Sequence, residues 1–159
     1  MFANPLTEQL AAFVRGVGID VRAADLPQQA QFPGLDIRDG AVLVDESRLL
    51  HPGNILHEAG HLAVTDPAVR NAPTISPTDG EELSTLAWSY AATCRLGLGP
   101  ELVFYPGSFQ GWDTSLIENF AEGRYIGIPL LQRFGMAFDR KTAAARGVDP
   151  FPHMVRWLR

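Results

Sequence analysis

His57, Glu58 and His61 stand in the run Ile55-Leu56-His57-Glu58-Ala59-Gly60-His61-Leu62-Ala63-Val64. A helix brings residues four apart onto one face, so the two imidazoles can aim at a single metal ion. Glu58, next to the first histidine, is then placed as a general base for water activated by that ion. Roughly one shuffled chain of this composition in two hundred would carry the HExxH spacing by accident. The flanks support a helix: Ile55, Leu56, Leu62, Ala63 and Val64 are apolar, and no proline interrupts the stretch from Gly53 to Asp66.

A catalytic zinc ion takes three protein ligands and leaves a fourth position open. A third histidine six residues after His61, with a glycine between, is ruled out because position 64 is Val and position 67 is Pro. The third ligand comes from elsewhere. Glu81 and Glu82 open a run rich in helix formers, and consecutive helix residues point about 100° apart, so one of the pair faces the metal. Glu118 and Glu122, four apart, read as an exposed acidic face.

The spacing from His61 to Glu81 resembles that of the gluzincin metallopeptidases, the thermolysin-like group, in which a second helix some twenty residues after the motif donates a glutamate. Here Glu81-Glu82-Leu83-Ser84-Thr85 stands where that group often reads Glu-x-x-Ser-Asp. The Ala-rich run Glu81 to Ala92 is also similar to the second helix of compact regulatory peptidases of the ImmA/IrrE type. The resemblance covers roughly residues 41–100. It implies a Zn2+ site of His57, His61 and Glu81, with Glu82 as the rival ligand, and a peptide or protein substrate. Thr85 falls where the group places the aspartate that orients the first histidine. That work then passes to Asp79 or a main-chain carbonyl.

An oxyanion donor is expected beside the metal. Tyr90, Tyr105, Tyr125 and His153 are the candidates; Tyr125 is preferred because Gly123-Arg124-Tyr125-Ile126-Gly127 follows a helix and could hold a side chain over a cleft. His51 belongs to the start of the motif helix. Gly60 costs that helix about 1 kcal/mol relative to alanine, and close approach of the second helix is the reason expected for it.

The elements that must position these groups read as α+β and mostly helical. The expected arrangement is a zincin-like core with an active-site helix, a second ligand-bearing helix and a small β-hairpin. Pro5 to Arg15 has helical spacing, ended by Gly16 and Gly18. Residues 20–33 read as irregular, with Pro27 and Pro33 as breakers. Leu35–Arg38 and Ala41–Val44 flank Asp39-Gly40, a pair suited to a type I′ turn. Pro52 suits the first turn of the motif helix, which should run to about Asp66. Thr78 or Asp79 caps a helix to Leu96 whose apolar stripe is Leu83, Leu86, Ala87, Tyr90, Ala91 and Cys94. Shorter helices follow from Asp113 to Glu122 and near Pro129–Phe134. The tail docks through its aromatics.

The 159 residues fit a single domain, 1–159, large enough for a core of its own. A hydrophobic share of 46% against 19% charged is that of a folded soluble chain. The net charge of −5 gives no basic field for nucleic acid or an anionic membrane. No stretch reaches the 18 apolar residues of a membrane span. One cysteine, no basic leader and no disulfide pair point to the cytoplasm. Phe104, Tyr105, Phe109 and Trp112 mark an apolar binding surface or an oligomer contact. Two functions fit: a small zinc-dependent peptidase, or a catalytically silent metal-binding domain that regulates or binds a protein.

Overall fold

The computed structural model describes residues 1–27 and 32–159. Its centre is the motif helix α2, Asn54–Val64, in which every residue but Glu58 is buried. That burial explains the apolar flanks. A helix lined on all sides by neighbours needs apolar residues on all sides.

On one side lies a three-stranded mixed sheet of β1 (Asp20–Ala23), β2 (Leu35–Arg38) and β3 (Ala41–Val44), ordered β1-β3-β2. The hairpin β2–β3 is antiparallel, with Arg38 opposite Ala41. Asp39 and Gly40 both have positive φ, 50° and 73°, as a type I′ turn requires. Strand β1 corrects the irregular reading of residues 20–33. It pairs in parallel with β3, Val21 opposite Val42. Only Val21 of its four residues is buried, so its sequence carries no alternation to read. Of the remainder, residues 28–31 lie outside the described residues.

Helix α1, Pro5–Gly16, packs Leu10, Ala11 and Val14 into the core beneath the sheet. Asn4 caps it by accepting from the Leu6 and Thr7 N–H groups. Helix α3, Asp79–Leu96, lies along α2 and makes the most extensive helix–helix contact in the fold. Its buried face follows the expected apolar stripe only in part: Leu86, Ala87 and Ala91 are buried. Leu83 is 44% exposed and Cys94 is exposed, while Ser84, Thr85, Trp88, Ser89 and Thr93 are buried. The hydroxyls of Ser84, Thr85 and Ser89 donate to main-chain carbonyls four residues back, so burying them leaves no polar group unpaired. Small side chains there let α2 come close.

Helices α4 (Asp113–Ala121), α5 (Ile128–Arg133) and α6 (Arg140–Arg146) complete the helical half. The tail docks as expected. Trp157 packs edge-on to Trp88 and Phe13, at 5.3 and 5.1 Å between ring centroids, and its carbonyl accepts from Trp88 Nε1. Arg159 then reaches the C-terminal end of α2. Its N–H donates to the Ala63 carbonyl at 3.0 Å, and its guanidinium approaches the Val64 carbonyl at 3.4 Å. A cation there complements the negative end of the helix dipole. No helix among the described residues is long and apolar enough to cross a membrane.

Candidate metal centre

One helical turn separates His57 from His61, and both rings turn toward α3. Their Nε2 atoms stand 3.1 Å apart. The carboxylate of Glu82 straddles them, Oε1 lying 3.4 Å from His57 Nε2 and Oε2 3.4 Å from His61 Nε2. Bonds of about 2.0–2.1 Å to a tetrahedral ion put its ligands about 3.3 Å apart. The three donors meet that spacing, so His57, His61 and Glu82 form a group that could hold a metal ion.

The neighbouring glutamate is turned elsewhere. Glu81 closes a capping box, its carboxylate accepting from the Thr78 N–H at 2.9 Å and the Thr78 hydroxyl at 3.0 Å. It also lies 3.5 Å from the Arg159 guanidinium. The structure thus gathers the rival Glu82 with the imidazoles and leaves the expected Glu81 at the helix cap. The 100° step between consecutive residues separates the two jobs.

The ring of His61 is oriented from behind. Its Nδ1 lies 3.4 Å from Thr85 Oγ1, whose proton goes to the Glu81 carbonyl at 2.9 Å. A hydroxyl committed as donor can only accept from the imidazole, so Nδ1 carries the proton and the Nε2 lone pair faces the cluster. Thr85 therefore serves the second histidine, and Asp79 is exposed at the start of α3. His57 is held by apolar rings, Phe32 at 5.8 Å edge-on and Phe109 at 4.9 Å.

Burial sets the electrostatics. It pushes His61 down to about 4, with the charge of His57 acting the same way and Glu82 opposing. A neutral imidazole is the form that ligates metal. Glu82 is held below the ordinary carboxylate range by its hydrogen bond with His57, against a burial cost. Glu58 goes the other way. Loss of solvent around its half-buried carboxyl raises it to about 7, with His57 opposing and Glu82 and Asp36 adding to the rise.

Glu58 and His61 open onto a cleft of about 400 Å³. Its walls are Leu26, Phe32, Ile75 and Pro77 together with all four residues of β2. Strand β2 pairs with β3 on one side, so its other edge borders the cleft. Arg38 and Asp36 form an ion pair of 2.7 Å on that strand.

The other expected site residues are not brought to this cluster. Tyr125 packs among Phe120, Tyr90 and Phe151 and lines a separate cavity with Glu122 and Asp139. Tyr90 stacks on Phe120. Tyr105 stacks on His51 at 3.7 Å and accepts from Asn54 Nδ2. His153, Glu118 and Glu122 are exposed, the glutamates as expected of an acidic face. No protein-family model, curated protein or solved structure matches this chain.

Proposed function

We propose that the protein is a zinc-dependent hydrolase of peptide bonds built on a zincin-like core, with His57, His61 and Glu82 as metal ligands and Glu58 as general base. The observation that carries this reading is the coincidence of three donors at metal-ligand spacing with a carboxylate opening into the adjoining cleft. Two nitrogens and one carboxylate oxygen are a donor set that suits zinc. A bound zinc ion supplies Lewis acidity, polarising a carbonyl and making water nucleophilic at neutral pH.

The chain's own groups supply the rest. Glu58 accepts the proton of the attacking water on its carboxylate oxygen and delivers it to the leaving amine nitrogen. The edge of β2 that is unpaired among the described residues favours an extended peptide as the substrate. In the alternating antiparallel pattern set by the two-residue turn, Asp36 and Arg38 bond to β3, and the main-chain groups of Ile37 face outward. A peptide laid along that edge puts side chains against Phe32, Leu35 and Ile75, while its backbone passes Glu58.

Glu58→Gln tests the proposal. Wild-type protein loaded with zinc should cleave members of a fluorogenic peptide library, and the variant should keep its zinc and lose that cleavage. Stoichiometric zinc without cleavage by either form would instead identify a silent metal-binding domain.

A further inference from the structure

Three buried side-chain atoms find no hydrogen-bond partner among the described residues: His57 Nδ1, Asn54 Oδ1 and Ser108 Oγ. They belong to one neighbourhood. Asn54 lies three residues before His57 on α2 and shares its face. Asn54 Nδ2 donates to the Tyr105 hydroxyl at 3.1 Å, and the Ser108 N–H donates to the Tyr105 carbonyl at 2.9 Å. Phe109, next to Ser108, lies against the His57 ring at 4.9 Å. All three residues are under 5% exposed, so bulk water does not satisfy these atoms.

Their chemistries are complementary. With a metal on His57 Nε2, Nδ1 carries the proton and needs an acceptor. Asn54 Oδ1 is an acceptor that needs a donor. A serine hydroxyl is both. We infer that Ser108 and Asn54 are positioning residues for His57, in a relay running His57 Nδ1–H to Ser108 Oγ, Ser108 O–H to Asn54 Oδ1, and Asn54 Nδ2–H to the Tyr105 hydroxyl. None of the three atoms has a partner as the side chains stand, and one buried water between them would join them. The relay does for His57 what Thr85 does for His61. It uses the loop from Tyr105 to Ser108, outside the two helices that hold the ligands. The relay rests on the proposed site, because a metal on Nε2 is what leaves the proton on Nδ1.

The test reads both. Nitrogen-15 NMR of zinc-loaded protein, with only four histidines to assign, reports which ring nitrogen of His57 is protonated. The relay requires a protonated Nδ1 in wild type, and Ser108→Ala and Asn54→Ala should each shift that resonance and speed exchange of its proton. Competition with a chromophoric chelator should show zinc affinity falling about 10–100-fold in both variants. Ser108→Thr, which keeps the hydroxyl, should retain the wild-type resonance and affinity. A protonated Nε2 in wild type, or a His57 resonance unmoved in folded Ser108→Ala, would overturn the relay. If wild type binds no zinc, the metal site fails and the relay with it; zinc bound with a His57 resonance indifferent to Ser108 fails the relay alone.

Discussion

Gly60 on α2 faces Thr85 on α3 so closely that a Cβ built on the glycine would stand 2.9 Å from Thr85 Cγ2 and 3.3 Å from the Thr85 carbonyl oxygen. Trp88 Cε3 is a further 3.3 Å neighbour. The pair sets the distance between the two helices, and so the distance from Glu82 to the imidazoles. Gly60→Ala gains about 1 kcal/mol of helix propensity and loses about 1–3 kcal/mol to overpacking, a small net destabilisation. Gly60→Leu forces the helices further apart and should lower zinc loading in protein that still folds by circular dichroism. Unchanged loading in folded Gly60→Leu would show that the close approach does not serve the metal.

Tyr125 sits among aromatic rings away from the cluster. Tyr125→Phe should therefore leave kcat/KM for a peptide substrate essentially unchanged. Loss of a donor to the reacting oxygen costs about 10²–10³-fold. A drop of that size would return Tyr125 to the active site.

Asp36 occupies the strand edge that a substrate would use. Its Oδ1 accepts from the outward-facing Ile37 N–H at 2.8 Å. An incoming peptide carbonyl must displace that carboxylate. Asp36→Ala should lower KM several-fold with little change in kcat, read by steady-state kinetics. A raised KM would argue against peptide addition along β2.

Acid should unfold the protein through carboxylates remote from the metal. Glu8 is lowered chiefly by the Phe2 N–H, Asp45 by the Ser47 hydroxyl and the Leu26 N–H, and Asp139 by the Thr142 N–H. A folded-state value below the ordinary 4.5 for Glu or 3.8 for Asp means that the unfolded chain binds more protons in this window. The stabilisation is complete above those ordinary values and is lost as pH falls through the lowered ones. Between about pH 7 and pH 4 the raised Glu58 and the lowered His61 act on stability in opposite directions, and below about 4 urea midpoints should drop, less steeply in Asp45→Asn. A midpoint flat through that range would contradict this account.

How much was legible differs from element to element. The hairpin was readable because Asp39-Gly40 imposes its turn locally, and α2 because its apolar run and motif agree. Strand β1 was not, since its place depends on β3 rather than on its own four residues. Thr78-x-x-Glu81 is a capping-box spacing, a local signal that by itself assigns Glu81 to the helix end. With Glu81 so occupied, Glu82 is the carboxylate that stands near the imidazoles; the distance from His61 alone favours the residue that stands at the helix cap. The buried polar face of α3 was hidden for another reason. Hydroxyls that bond back to their own helix pack as small residues, yet a hydropathy pattern scores them as polar. The Ser108 loop meets His57 only through tertiary contacts, and nothing in its local sequence marks it.

Metal analysis of purified protein equilibrated with zinc and then desalted tests the central claim most directly. The three-donor cluster predicts a single zinc ion per chain in wild type, its loss in His57→Ala and Glu82→Ala, and its retention in Glu81→Ala. Wild type without stoichiometric zinc, or Glu82→Ala that keeps it while Glu81→Ala does not, would contradict the site.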